Sequence, residues 1–340
     1  MGQSAFPLRM VAWELTRNCN LNCVHCRASA KAGPHKGELT TDECKKVVDE
    51  ILAFSSPTVI LTGGEPLMRE DIFEIIDYAN EKGLRTVMAT NGTLLDREKT
   101  TRLIKGGIKR VSMSIDGKNR EDHDSFRGVV GSFDAVIKAT HSLSELGLPF
   151  QINTTVTRLN VTDLEAIYTL VKSVGAVAWH VFLLVPVGRG ERLKGEELSA
   201  ETYEDVLEWL YETEKRAQIE MKVTCAPHYY RIVKQKGDTP KSSGCLAGKT
   251  FMFISHKGVI QPCGYLEVPS GDLSKTALQK IWEESTVFTA LRDLTSYKGK
   301  CAGCRFLKIC GGCRARAHEK SGDILAEEPL CSYYPTGGAG

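Results

Sequence analysis

Three cysteines, Cys19, Cys23 and Cys26, stand in a C-x3-C-x2-C run near the amino terminus. Eight more crowd the last third of the chain: Cys225, Cys245, Cys263, Cys301, Cys304, Cys310, Cys313 and Cys331. Disulfides are rare in reducing compartments, where closely spaced cysteines more often bind metal or do redox work. Two loci far apart in sequence therefore carry cysteine chemistry. At the first, close spacing on one loop lets thiolates wrap an iron–sulfur cubane. Three thiolates for four irons leave one iron with an open position, as a catalytic metal site requires. The competing reading is zinc held by these cysteines and His25, although neighbours such as His25 and Cys26 converge poorly on one small ion. At the second locus, Cys301-x2-Cys304-x5-Cys310-x2-Cys313 taken alone has zinc-ribbon spacing; Cys331 follows it, and Cys245 and Cys263 precede it. The twelfth cysteine, Cys44, falls within a helical pattern and reads as a buried core thiol.

The elements that must position these groups alternate. Apolar runs at Met10–Thr16, Thr58–Thr62, Arg85–Thr90, Lys109–Ser114, Pro149–Val156 and Trp179–Val185 read as strands. Helical patterns near Thr41–Phe54, Arg69–Lys82, Arg97–Lys105, Phe133–Leu146 and Asp163–Ser173 lie between them, several closed by glycine. Such alternation predicts parallel strands with right-handed crossovers. Six units fall short of the eight of a full barrel, so the expected fold is α/β, a partial (βα)6 TIM-like barrel. A further helix at Ala200–Gln218 precedes a cysteine-rich, turn-rich region too small to hold itself together without metal. The expected division is a barrel over 1–220, an iron–sulfur domain over 221–335 and a disordered tail at 336–340. A length of 340 residues agrees, since one core stops growing at roughly 250–300.

Composition excludes several classes. Hydrophobic residues make up 42% and charged residues 25%, the balance of a soluble globular protein. A net charge of +2, from 44 basic and 42 acidic residues, gives no field for nucleic acid or a membrane surface. No apolar run approaches a membrane span, and the amino terminus lacks the apolar core of a signal peptide. The expectation is a cytoplasmic protein.

The C-x3-C-x2-C run after the first strand resembles the signature of the radical S-adenosyl-L-methionine (SAM) superfamily. The likeness continues through Gly63-Gly64-Glu65-Pro66, Ala89-Thr90-Asn91-Gly92 and Ser114-Ile115-Asp116-Gly117, each at the carboxyl end of a strand. The resemblance implies a [4Fe–4S] cluster whose unique iron chelates SAM and reduces it to methionine and a 5′-deoxyadenosyl radical. It also implies that Gly63, Gly64, Glu65 and Pro66 receive the SAM amino group, and that Asn91, Ser114, Asp116 and Arg127 contact the cofactor. His25 takes the place of an aromatic residue that stacks on adenine in many members. Asn153 and Val185 are pocket walls or core. The last third resembles the SPASM extension, which binds one or two auxiliary [4Fe–4S] clusters. By that pattern Cys301, Cys304, Cys310 and Cys331 hold one cluster, and Cys245, Cys263 and Cys313 the other. Cys225 completes the second set or does not ligate. The gap from Cys310 to Cys313 is x2 where the pattern has x3. Lys298, Lys300, Arg305, Lys308, Arg314, Arg316 and Lys320 either offset cluster charge or clamp an anionic substrate.

A narrower likeness covers nearly the whole chain. Leu8 to Thr16, Cys26 to Ala30, Val181 to Gly190, Cys225 to Arg231 and Cys310 to Ala317 resemble the SAM-dependent heme b synthases. Those enzymes oxidatively decarboxylate two propionates of iron-coproporphyrin III to vinyl groups, drawing electrons from a donor such as ferredoxin or flavodoxin. The resemblance makes His228, Tyr229, Tyr230 and Arg231 candidate substrate contacts, with aromatic walls and a cationic rim; His228 is either a ligand to the porphyrin iron or a plain structural histidine. The alternatives are another tetrapyrrole enzyme (didecarboxysiroheme deacetylation or heme d1 synthesis), a SPASM peptide maturase, and a non-catalytic electron carrier or zinc-binding protein.

Overall fold

The computed structural model describes residues 6–242 and 244–335; the tail expected to be disordered at 336–340 lies outside the described residues. Strands and helices alternate as β1 (Met10–Glu14), α1 (Thr41–Phe54), β2 (Thr58–Thr62), α2 (Ile72–Glu81), β3 (Thr86–Ala89), α3 (Arg97–Lys105) and β4 (Val111–Ser114). Then come α4 (Arg120–Arg127), α5 (Ser132–Glu145), β5 (Phe150–Val156), α6 (Leu164–Ser173), β6 (Ala178–Leu183), α7 (Ala200–Arg216) and β7 (Glu220–Thr224). The rest contains α8 (Tyr229–Gln235), β8 (Phe251–Ile254), β9 (Val259–Gln261), β10 (Gly271–Asp272), α9 (Leu278–Glu284), α10 (Thr286–Arg292) and α11 (Arg314–Ser321). Local signals set the helix starts. Thr40 and Glu43 form a reciprocal capping box on α1, with the Thr40 N–H donating to Glu43 at 2.8 Å. Asp96 accepts the Lys99 N–H at 2.7 Å to start α3.

Strands β1 to β7 pair parallel in chain order, giving the partial barrel. Two additions go beyond six strands. β7 extends the sheet past β6, and β8 adds parallel to β1 on the other edge, followed by antiparallel β9 and β10. The cysteine-rich part is thus stitched to the barrel through one ten-stranded sheet.

The two faces of that sheet differ. Val11, Trp13, Val59, Leu61, Met88, Val111, Met113, Ile152, Trp179 and Val181 are at most 1% exposed and pack under the helices. Their alternates face the lumen and stay half-buried: Ile60, Val87, Ala89, Ser112, Ser114, Gln151, Asn153, Thr155, His180, Phe182, Lys222 and Thr224. From β4 to β7 this inner wall is mainly polar, unlike a filled barrel core.

Candidate functional site

The chain leaving β1 carries the first three cysteines, and glycines let other strand ends reach it. A Cβ on Gly63 would sit 2.5 Å from the Thr16 carbonyl oxygen, and one on Gly64 2.5 Å from that of Asn18. Without side chains there, the Gly64 and Glu65 N–H groups donate to those two oxygens at 2.7 Å each. Glu65 is fully buried and accepts from the Asn91 N–H (2.7 Å), the Thr90 hydroxyl (2.7 Å) and the Leu67 N–H (3.0 Å). Its carboxylate thereby locks the turn after β2 to the turn after β3. Burial pushes that carboxyl up, against these hydrogen bonds. Pro66 starts a single helical turn. The Asn91 amide reaches the Cys19 sulfur at 3.9 Å and Asn20 at 2.8 Å.

Helix α4, which has no clear periodic signal in the sequence, grips the loop from the opposite side. The Asn22 and Val24 N–H groups donate to the Arg127 and Phe126 carbonyls at 3.2 and 3.1 Å. Gly128 follows with φ +69°, its missing Cβ leaving room for the Asn22 oxygen. Arg127 is buried, pairs with the buried Asp116 carboxylate, and points a second nitrogen at the Cys23 sulfur, 3.7 Å away. Asp116 also accepts the Thr155 N–H at 2.7 Å. Burial raises the Asp116 carboxyl while Arg127 pulls it back. Ser114 ends β4 on the lumen face, in register with Asn153. His25 stacks on Phe126 with ring centroids 4.5 Å apart, and burial holds its imidazole neutral. Of the two candidate walls, Asn153 faces the lumen, whereas Val185 is core, packed with Leu266, Leu291, Cys313 and Ala315.

Two contributions to this loop carry no functional signal in the sequence. Arg189 donates its backbone N–H to the Cys26 carbonyl and its side chain to that of Cys23, both at 2.9 Å, and also reaches the Ala30 carbonyl. Glu14, fully buried at the end of β1, ties Arg27 (2.9 Å), Arg17 (3.1 Å) and His256 (2.6 Å) together. Arg27 also lies over the Phe253 ring at 4.4 Å, which joins the cysteine loop to the β8 edge. A side-chain pattern of long sequence separation cannot be read from the chain alone.

The carboxy-terminal cysteines fall into two groups. Cys301, Cys304, Cys310 and Cys331 line one cavity together with Arg231 and Lys300. Cys313, Cys225 and Cys263 share an apolar cluster, and Cys245 is close enough to raise the Cys263 thiol. Cys225 and Cys313 face each other closely enough to share a proton, which pulls the Cys313 thiol down and pushes the Cys225 thiol up. Cys225 holds φ +61°, in the left-handed region that non-glycine residues seldom adopt. Cys44 is fully buried in α1, apart from both groups.

The sulfurs suit iron–sulfur ligation. Backbone N–H groups donate to Cys19 (3.5 Å), Cys26 (3.4 Å), Cys263 (3.3 Å), Cys310 (3.4 Å) and Cys301 (3.5 Å). Hydrogen bonds to cluster sulfurs are among the means by which proteins tune such centres. Burial without iron pushes the Cys19 thiol up to about 11, a cost that metal binding relieves by displacing the proton. Among the described residues no three His, Cys, Asp or Glu side chains close on a single-ion site; a cubane takes its thiolates at separate corners.

The expected substrate contacts lie elsewhere than the lumen. His228 is fully buried and stacks on Tyr203 at 4.7 Å. Tyr229 is buried and donates to Glu214, while Tyr230 is half-buried edge-on to it. Arg231 is buried, pairs with Glu204 at 2.5 Å, and faces the four-cysteine cavity. Of the basic run, Arg314 and Arg316 are buried: Arg314 bonds the Ala326 carbonyl at 2.6 Å, and Arg316 pairs with Glu328 at 3.2 Å. Lys300 bonds the Cys331 carbonyl at 2.6 Å. These three serve the cysteine region's own structure.

Residues 13–171 match the model of the radical SAM superfamily, and residues 245–305 match SPASM, an iron–sulfur cluster-binding domain. The chain is 47% identical over 96% of its length to the AdoMet-dependent heme synthase of Nitratidesulfovibrio vulgaris, covering 93% of that protein. It is likewise 47% identical over 96% to the AdoMet-dependent heme synthase of Methanosarcina barkeri, covering 97% of it. The crystal structure of Streptococcus suis SuiB bound to S-adenosylmethionine superposes with a TM-score of 0.78 at 19% identity, over 97% of this chain and 78% of that one. The chain belongs to the radical SAM superfamily, in the SPASM-bearing family that these heme synthases share. Among the described residues no helix is long and apolar enough to cross a membrane.

Proposed function

We propose that this chain is a heme synthase that converts two propionates of iron-coproporphyrin III to vinyl groups by radical decarboxylation. The observation that carries the reading is 47% identity along nearly the full length of two AdoMet-dependent heme synthases. In each round a hydrogen atom leaves the propionate β-carbon, the carboxylate departs as CO2, and one electron must be accepted elsewhere. A [4Fe–4S] cluster at Cys19, Cys23 and Cys26, with SAM bound, supplies the hydrogen-abstracting radical. The chain's own groups then hold the site in place. Gly63, Gly64, Glu65 and Pro66 set the turn against the cysteine loop, and Asn91, Ser114, Asp116, Arg127 and His25 surround it. Cys301, Cys304, Cys310 and Cys331 provide one auxiliary set, and Cys245, Cys263, Cys313 and Cys225 a second. The reading includes a cytoplasmic location and a ferredoxin or flavodoxin as reductant.

The test is anaerobic reconstitution with iron and sulfide, then incubation with SAM, reductant and iron-coproporphyrin III. The expected result is 5′-deoxyadenosine together with a porphyrin that has lost two carboxyl groups by mass. SAM cleavage with the porphyrin unchanged refutes the heme assignment and leaves the radical chemistry intact.

A further inference from the structure

Deep in the barrel, two unmet hydrogen-bond donors stand side by side. His180 on β6 and Lys222 on β7 are directly paired across neighbouring strands, both on the lumen face. The Gln151 amide nitrogen donates to Asn153 at 3.0 Å and lies 2.9 Å from His180 Nδ1. A nitrogen that receives this donor must be the acceptor, so the neutral ring carries its proton on Nε2. That Nε2 is buried and has no hydrogen-bond partner. Lys222 makes no hydrogen bond or ion pair with any described residue, although burial depresses its ammonium. The other charges nearby cancel: Arg110 and Glu220 pair at 3.1 Å at the foot of the lumen. A half-buried cation whose nearby anion, Glu220, is shared with Arg110, beside a buried N–H without a partner, leaves this wall short of acceptors. It suits an occupant that only accepts hydrogen bonds and carries negative charge.

We infer that Lys222 and His180 form a carboxylate subsite that holds a propionate the reaction does not consume, an inference that rests on the heme-synthase reading. Lys222 lies two residues before the end of β7, so the pair sits on the lumen wall below the strand ends that form the barrel mouth. A flat tetracarboxylate lying in the lumen with one edge at that mouth turns its opposite edge toward this pair. Ser114 and Asn153, in the same register row, continue the polar wall. The subsite fixes which propionates face the mouth, so it acts on specificity.

The experiment measures porphyrin binding to anaerobic, reconstituted protein through the Soret band, for wild type and Lys222→Met. The ligands are iron-coproporphyrin III and its tetramethyl ester, and iron content per chain serves as the control for folding. A lost charge-assisted bond predicts about 10- to 100-fold weaker binding of the tetra-acid by Lys222→Met, with ester binding unchanged. Lys222→Arg, which keeps the charge, recovers most of the loss. Equal binding of the tetra-acid by wild type and Lys222→Met overturns the subsite while leaving the heme reading standing. Equal weakening for acid and ester also overturns it, since the lysine would then only shape the wall. Failure of wild type to bind the tetra-acid removes the heme reading itself, and the subsite with it.

Discussion

The Asp116 carboxylate and the Arg127 guanidinium form a buried ion pair, and another nitrogen of the same guanidinium lies 3.7 Å from the Cys23 sulfur. One arginine thus joins the end of β4, the last turn of α4 and the cysteine loop. Removing it strands a carboxylate in an apolar setting. Arg127→Met is expected to cost about 3–5 kcal/mol, as for other broken buried pairs. The double variant Asp116→Asn with Arg127→Met leaves no lone charge and should be more stable than Arg127→Met alone. Urea unfolding of the anaerobic proteins checks both; additive losses would show that the pair is not coupled.

Gly188 holds φ +60°, and a Cβ there would meet the Arg27 carbonyl oxygen at 2.2 Å. Backbone on both sides would have to move, and Arg189 would lose its bond to the Cys26 carbonyl. Gly188→Ala is therefore expected to lower iron and sulfide content by the equivalent of one cluster. SAM cleavage should fall at least tenfold, because the loop that Gly188 and Arg189 brace carries all three thiolates of the SAM-binding cluster. Full iron content with unchanged SAM cleavage would show that the close approach is dispensable.

Burial holds the His228 imidazole down at about 4, against roughly 6.5 for an unfolded chain. Between these values the unfolded state binds more protons than the folded one, so stability rises with pH there and is fully present above the unfolded value. The expected loss is about 1.4 kcal/mol for each pH unit below 6.5. His228→Phe keeps the ring stacked on Tyr203 and removes the titrating nitrogens. Other buried histidines, such as His123 and His180, contribute equally to both proteins and cancel in the difference. Denaturant unfolding at pH 7.5 and 5.5 should show wild type losing stability relative to His228→Phe as pH falls. Parallel pH profiles would mean that His228 is not buried in neutral form.

The repeating barrel was legible because its signals are local. Thr41–Phe54 and Arg97–Lys105 match their helices to the residue, and Thr58–Thr62 matches its strand. Period-two burial, capping threonine or aspartate, and terminating glycine all act within a few residues. β7 escaped because Glu220, Lys222 and Thr224 alternate with only Met221 and Val223, leaving no apolar run. α4 escaped because five of its eight residues are charged, with one turn packed against the cysteine loop. The cysteines announced their chemistry by spacing, but the contacts that hold them join distant positions, 166 apart between Arg189 and Cys23 and 242 apart between Glu14 and His256. His228 and Arg231 read as candidate substrate contacts, and only packing against Tyr203 and Glu204 of α7 shows them buried.

Cys225 and Cys44 separate ligand-type thiols from packing thiols. Both are free thiols, yet their surroundings differ. Cys44 sits in the main core beside Val47, Val48 and Ile51 on one helix face. Its replacement by alanine removes one sulfur from a packed site and should cost roughly 1 kcal/mol, with no change in iron. Cys225 instead adopts φ +61° and meets Cys313 across the end of β7, in the cluster that also holds Cys263. Cys225→Ala should relax little of the main core but reduce iron by up to four atoms per chain, the content of one cubane. The remaining three thiolates, Cys245, Cys263 and Cys313, would retain a more labile centre, lost first on exposure to a chelator. Iron and sulfide analysis of the two variants beside wild type decides it. Equal iron in Cys225→Ala and Cys44→Ala, with equal resistance to chelation, would make Cys225 a structural thiol like Cys44.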